Sequence, residues 1–209
     1  MTRSPGMVRT APHYAVAKRA LDLLICLAAL PIVLPVALLA GLLIRLESPG
    51  PVVFAQMRTG RHGARFPMFK FRTMVRNAEE LKASLQHLNI LPAPDFKIPN
   101  DPRITRVGGF LRKTSLDELP QILNVLRGEM TIVGPRPTSF AASTYELWHS
   151  ERLEVLPGIT GLWQIKGRGS MTFDERLRLD IEYIERRSLR LDLQLIVLTG
   201  LAVFRGSGA

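Results

Sequence analysis

The sequence predicts an α/β (α+β) fold, mostly helical with one short β-hairpin and not of the Rossmann type, joined to a membrane through its N-terminal segment. Three features lead there: an uncharged apolar run at Leu23–Ile44, two strand-like segments around a Gly- and Arg-containing loop, and several helical stretches punctuated by Pro and Gly. At 209 residues the chain is long enough for one domain with its own core. Its 28 Lys and Arg against 18 Asp and Glu leave a net charge of +10. That excess calls for an anionic partner: nucleic acid, an anionic membrane surface or a phosphorylated substrate. The single cysteine, Cys26, excludes an internal disulfide and sits inside the apolar run, away from redox chemistry. His13, His62, His87 and His149 are scattered, which argues against a His/Cys metal site.

Residues 1–15 read as a loose tail and residues 16–47 as the membrane segment. As a straight helix Leu23–Ile44 would be about 33 Å long, enough to cross the hydrocarbon. A secretory signal fits poorly, because the run is long for one and Arg45-Leu46-Glu47 is no small-residue cleavage site. Pro31 and Pro35 each remove a helical hydrogen bond, at roughly 3 kcal/mol where nothing compensates. Cations flank both ends (Arg9, Lys18 and Arg19; then Arg45, Arg58, Arg61 and Arg65), and the positive-inside rule holds both flanks in the cytoplasm. A helix broken near Leu34-Pro35 that enters and leaves by one leaflet satisfies both features. A Pro-kinked spanning helix remains open as the other reading.

Residues 48–187 form the expected cytoplasmic catalytic domain. Ser48-Pro49-Gly50-Pro51 is a turn, followed by strands at Val52–Gln56 and Phe66–Phe71 around the loop Thr59–Arg65. Helices are expected at Asn77–His87, Leu116–Leu126, Thr138–Leu153 and Thr172–Arg187, the last opened by the capping box Thr172-x-x-Glu175. Leu91–Pro102 is Pro-rich loop, and Met130–Val133 is a strand. In residues 188–209, Leu193–Phe204 is apolar but too short to span and reads as an interfacial helix. No repeat or heptad is visible.

The densest chemistry lies in Arg103–Pro137. Ser115-Leu116-Asp117-Glu118 reads as a helix opening with Pro120 in its first turn, putting both carboxylates where backbone N–H groups carry positive partial charge. An ordinary Ser-x-x-Glu capping box accounts for the same residues. The surrounding cations shift the weight: Arg103, Arg106, Arg112 and Lys113 precede the pair, and Arg127 and Arg136 follow it. Arginine forks bind phosphate oxygens, and an ionised Asp is nucleophilic towards phosphorus without an adjacent base. Repulsion from a diphosphate would be offset by Arg and Mg²⁺. In Gly134-Pro135-Arg136-Pro137, two prolines lock the backbone around one arginine; a rigid turn after a strand is the plain alternative. The Gly-rich stretch from Pro157 to Gly169 permits close backbone approach to a ligand, but reads equally as a loop.

At these residues the chain resembles the bacterial sugar transferase family, the monotopic polyprenyl-phosphate phosphoglycosyl transferases. The likeness runs from Lys18 to about Phe204 through KRALDLL, the apolar hairpin, SPGPVVFAQMRTGRHG, FKFRTM, DPRITRVGGFLRKTSLDELPQILNVLRGEMTIVGPRP, PGITGLWQIKGRG and the Leu-Asp-Leu of the last helix. The resemblance implies a re-entrant membrane helix-hairpin with interfacial amphipathic helices. It implies Asp117 as the nucleophile that takes the sugar-phosphate from a UDP-sugar and releases UMP, and Glu118 as its dyad partner and Mg²⁺ ligand, with Asp117 beside it. Arg112 and Arg136 resemble the phosphate- and nucleotide-binding arginines, Arg136 within Pro135-Arg136-Pro137, and Arg103 joins the basic cluster. Polyprenyl phosphate then attacks the covalent adduct, the first membrane step in exopolysaccharide, O-antigen or glycoconjugate assembly. The implied partners are the UDP-sugar, the polyprenyl phosphate lipid and the bacterial inner membrane at its cytoplasmic face; no nucleic acid is expected, and a homodimer is compatible with the sequence. One departure stands out: the family breaks its hairpin at Ser-Pro, whereas this chain has Leu34-Pro35 and an extra Pro31. The chain resembles the small, catalytic-domain-only type.

Composition also permits a basic membrane adaptor without catalysis, which would not need an Asp-Glu pair amid arginines. A lipid-diphosphate hydrolase would use similar groups but deliver the phosphosugar to water. Neither the sugar nor the pathway is legible.

Overall fold

The structure is a computed structural model that describes residues 12–91, 96–167 and 171–204. Most of the expected N-terminal tail, part of the Pro-rich loop and the end of the Gly-rich stretch lie outside the described residues. The protein is mostly helical, and among the described residues its strands form two two-stranded sheets.

Helix α1 spans Pro12–Glu47, and its helical backbone continues through both Pro31 and Pro35. Its two ends rest on the same folded body. Near the start, Arg19 donates to the carbonyls of Val125 and Leu126 at 2.6 and 3.0 Å. Asp22 accepts from Thr131 Oγ1 and Ile132 N, and Cys26 is buried against Phe66, Met68, Val125 and Met130. Near the end, Ala40 and Ile44 pack with Phe71 and Leu111, and the Glu47 carboxylate accepts from the backbone N–H groups of Arg106 and Val107. Between these contacts Leu27, Ile32, Leu34, Leu38 and Leu39 are exposed.

Strands β1 (Val53–Thr59) and β2 (Arg65–Phe71) pair antiparallel, from Val53↔Phe71 to Thr59↔Arg65. β1 runs three residues beyond the expected Gln56. Phe66 and Met68 point into the core, and period-two alternation puts Lys70 on that same face. The other edge of β2 is closed by Asn124, which accepts from Phe69 N and donates to Pro67 O. Helix α2 (Glu80–Ser84) is shorter than expected, with a separate 3₁₀ turn at Gln86–Leu88.

Helix α3 (Arg106–Lys113) was not expected; the two glycines in RVGGF weaken its helical signal. Thr105 caps it, accepting from Gly108 N at 3.0 Å. Gly108 is needed for a close approach, since a Cβ there would lie 2.1 Å from Thr73 O. The expected single helix Leu116–Leu126 is instead a 3₁₀ turn at Leu116–Glu118 followed by α4 (Gln121–Arg127), and the Ser115 capping box does not form. Ser115 is left-handed at φ 58°, which turns the chain after α3, and Pro120 restarts it as the N-cap of α4.

Strand β3 (Thr131–Val133) matches expectation and pairs in parallel with β4 (Gly158–Thr160), which was not foreseen. The expected helix Thr138–Leu153 is replaced by 3₁₀ turns at Ala142–Thr144 and Leu147–Glu154. Thr138 and Phe140 are held to the end of β1, where Thr59 donates its N–H to Thr138 O and its hydroxyl to Phe140 O, so the segment cannot begin as a helix. Helix α5 is Leu162–Lys166, and α6 (Phe173–Arg186) opens with the expected Thr172/Glu175 capping box. Helix α7 (Leu189–Phe204) starts four residues before the expected Leu193 because Asp192 belongs inside. That fully buried carboxylate accepts from Tyr14 and Tyr183 hydroxyls and pairs with Lys18, tying α7 to α1 and α6.

Candidate active site

Asp117 and Glu118 occupy a short turn whose construction explains their direction. In a 3₁₀ turn residues three apart eclipse, so Leu116 and Leu119 share one side and pack against the cluster of Ala40, Ile44, Phe71 and Leu111. The two carboxylates between them belong to the opposite side. Asp117 is only 9% exposed.

Three cations converge on the pair. Lys70 Nζ is 2.9 Å from Glu118 Oε1 and 3.9 Å from Asp117 Oδ2. Arg136 forks onto both oxygens of Glu118, its Nη1 lying 3.2 Å from Oε2. Arg112, in the last turn of α3, donates to Thr73 Oγ1 at 2.8 Å, and its charge is felt at Asp117. Arg136 is aimed by its turn: Gly134 N donates to Thr160 O, Gly158 N donates to Pro135 O, and Arg152 donates to the Arg136 carbonyl. Gly158 is required there, because a Cβ would lie 2.1 Å from Gly134 N.

The two acids are electrostatically unlike. Burial pushes the Asp117 carboxyl above the usual carboxylate range, opposed by Lys70. Burial also acts on Glu118, but Arg136 and Lys70 outweigh it and hold Glu118 far below that range. Among the described residues Asp117 receives no hydrogen bond on its carboxylate, whereas both oxygens of Glu118 are engaged. The pair is thus split: Glu118 is pinned and held charged, while the Asp117 carboxyl is raised and carries no hydrogen bond among the described residues. Among the described residues no three acidic, His or Cys side chains form a metal-binding group. Two hard carboxylates alone suit Mg²⁺, which is commonly held by one or two carboxylates with substrate phosphates supplying further oxygens.

The sequence-derived candidates Asp117, Glu118, Arg112 and Arg136 come together, with Pro135 and Pro137 framing the last. Arg103 is instead committed to Asp101 at 2.6 Å and to the Ala78 carbonyl. Lys70 was missed, although its signal was present: a lysine in FKFRTM falls on the inward register of Phe66 and Met68. Arg58 was read only as a flanking charge. It is a half-buried neighbour of Arg136, its pKa pulled down to about 10 by desolvation and by Arg136 and Arg65.

Residues 13–206 match the family model described as Bacterial sugar transferase. The chain belongs to this family. Among bacterial sugar transferase relatives, the "Galactosyl transferase CpsE" of Streptococcus agalactiae serotype III is 44% identical over 200 residues, 94% of this chain and 44% of that protein. The "Undecaprenyl-phosphate galactose phosphotransferase" of Salmonella typhimurium is 45% identical over 77% of this chain and 35% of its own length. The "Exopolysaccharide production protein ExoY" of Rhizobium meliloti is 39% identical over 98% of this chain and 92% of its own. The chain therefore spans less than half of the first two relatives and nearly all of the third.

Proposed function

We propose that this bacterial sugar transferase moves a sugar 1-phosphate from a UDP-sugar to polyprenyl (undecaprenyl) phosphate, releasing UMP. The observation that carries the reading is the unlike carboxylate pair, Asp117 reactive and Glu118 fixed, facing Lys70, Arg112 and Arg136. Relatives named as undecaprenyl-phosphate phosphotransferases for galactose and N-acetylgalactosamine, and as a glucose-1-phosphate transferase, support the substrate class.

In the proposed mechanism an Asp117 oxygen attacks the sugar-bearing phosphorus, and the bond to the UMP oxygen breaks with its electron pair leaving on UMP. The phosphosugar is then an acyl phosphate on Asp117. An oxygen of the lipid phosphate attacks the same phosphorus, the bond to Asp117 breaks, and the carboxylate is regenerated. Arg112, Arg136 and Lys70 oppose the charge that gathers on the phosphoryl oxygens. Asp117 and Glu118 are the residues that would hold Mg²⁺, which supplies further charge neutralisation at the diphosphate. The assay is purified chain with polyprenyl phosphate and a panel of UDP-sugars. UMP release coupled to lipid diphosphosugar formation is expected; no UMP from any donor, or phosphosugar delivered only to water, would overturn the reading.

We propose a re-entrant topology, supported by the contacts of α1. Its exposed central leucines suit hydrocarbon, yet Asp22 and Glu47 at either end of the apolar run both bond to the catalytic body. A straight span would separate those ends by the hydrocarbon thickness of about 30 Å. Entry and exit by the cytoplasmic leaflet keeps both contacts, with the bend at the prolines, and the exposed Val197, Leu198 and Leu201 of α7 provide an interfacial face. Single cysteines at the exposed positions Ala15 and Ser84, in a Cys26→Ala background, are expected to resist a membrane-impermeant thiol reagent in intact cells and to react after lysis. Labelling of Ala15→Cys in intact cells, with Ser84→Cys protected, would establish a span instead.

A further inference from the structure

Beside Arg136 opens a cavity of about 400 Å³, lined among others by Arg58, Phe140, Trp163, Phe173, Arg176 and Asp180. None of the proposed chemistry at Asp117 uses it. Its walls offer flat faces: the Arg176 guanidinium lies 5.5 Å from the Trp163 ring centre and 5.7 Å from that of Phe173, and Phe140 meets Phe173 edge to face. At its boundary is a carboxylate that ordinary folding would not leave there. Asp180 is 1% exposed; its Oδ2 pairs with Arg152 Nη2 at 2.7 Å, while Oδ1 has no hydrogen-bond partner among the described residues. Burial raises its pKa to about 6 against the pull of Arg152. A buried acceptor without a donor is tolerated where a ligand supplies one.

The ligand is constrained by what surrounds that oxygen. The cavity is too cationic and polar for a polyprenyl chain. It shares Arg136 with the diphosphate site, so a molecule whose phosphate meets Arg136 extends into it. Rings and guanidinium planes favour a planar heterocycle, since stacking suits any π-face. The unpartnered acceptor on the cavity wall, Asp180 Oδ1, calls for a donor from the ligand. Uracil presents one, an imide N–H between two carbonyls. Cytosine has a bare ring nitrogen where uracil has that N–H, and would meet the carboxylate lone pair to lone pair. We propose that this cavity is the nucleobase subsite of the donor, in which Asp180 accepts the uracil imide N–H and Trp163 stacks on the ring. The inference rests on the UDP-sugar reading above and adds a basis for choosing uridine over cytidine.

The test is calorimetric titration of the purified full chain in detergent with UMP, CMP and galactose 1-phosphate, alongside the UMP-release assay. Wild type is expected to bind UMP about tenfold or more tightly than CMP. In Asp180→Asn the amide oxygen turns to Arg152 and the NH₂ group faces the base, so UMP binding should fall about tenfold and the preference for UMP over CMP should collapse or invert. Trp163→Leu, at a half-buried position, should weaken both nucleotides together and leave galactose 1-phosphate unchanged. It keeps the proposal testable if Asp180→Asn does not fold. The subsite is overturned if folded variants keep UMP affinity and the UMP/CMP ratio within about twofold, or if the loss falls on galactose 1-phosphate, which would assign the cavity to the sugar. Those outcomes leave the donor reading intact as long as wild type releases UMP; a wild-type chain that neither binds UMP nor releases it overturns both.

Discussion

Asp117→Asn is expected to lower turnover by about 10⁴-fold or more, the scale on which loss of a covalent nucleophile is felt, without unfolding the protein. The amide is nearly isosteric, and the carboxylate it replaces accepts no hydrogen bond among the described residues, so little structure depends on its charge. The turn stays anchored through Leu116 and Leu119, and Glu118 keeps Lys70 and Arg136. Steady turnover by Asp117→Asn, with deamidation excluded by mass, would remove Asp117 as nucleophile. The same carboxylate sets the acid limb of wild-type kcat/KM. Attack requires the ionised form, so activity is lost as pH falls through the Asp117 pKa, which burial raises. The limb should therefore lie above the ordinary aspartate range. Glu118 is held far below it and stays charged throughout, so it adds no second limb there. A limb at or below the ordinary aspartate range would contradict the assignment.

Removal of divalent metal is expected to reduce activity to about 1% or less, with Mg²⁺ restoring it. The active turn already carries two carboxylates, and a diphosphate brings about two more charges against Lys70, Arg112 and Arg136. A hard divalent cation held by Asp117 and Glu118 would relieve that excess, an effect of several kcal/mol on a phosphoryl transition state. The present pairing sharpens the expectation for Glu118: Arg136 and Lys70 occupy its oxygens, so metal and donor must share or displace them. Glu118→Gln should raise the Mg²⁺ concentration needed for half-maximal rate. Unchanged activity in excess EDTA would dismiss the metal; unchanged Mg²⁺ dependence in Glu118→Gln would dismiss only that ligand.

How much of this was legible in the sequence depended on range. The β-hairpin, strand β3, the capping box of α6 and the apolar α1 are written in local patterns of alternation, capping and hydropathy, and each was readable. Asp117, Glu118, Arg112 and Arg136 stood out because their stretch is dense in charge and punctuated by proline. What was not readable is set by contacts between distant segments. Thr59 holds Thr138 and Phe140 extended and so replaces an expected helix by 3₁₀ turns. Ser115 adopts a left-handed conformation that composition does not announce, dividing one expected helix into a turn and α4. Lys70 joins Glu118 across 48 residues of sequence, and Asp180 joins Arg152 across 28, with no spacing rule to link either pair. Arg103 illustrates the converse: its neighbours in sequence suggested the basic cluster, but Asp101, two residues away, takes its guanidinium.

The central claim is that Asp117 carries the phosphosugar between an aqueous donor and a membrane-borne acceptor. It is tested most directly by rapid quench of purified chain with Mg²⁺ and its UDP-sugar in the absence of any lipid, followed by peptide mass analysis. The account predicts a burst of UMP comparable to the amount of enzyme and a sugar-phosphate adduct on the peptide containing Asp117, discharged when polyprenyl phosphate is added. No burst and no adduct, together with intersecting rather than parallel double-reciprocal lines for donor and lipid, would mean direct attack in a ternary complex and would contradict it.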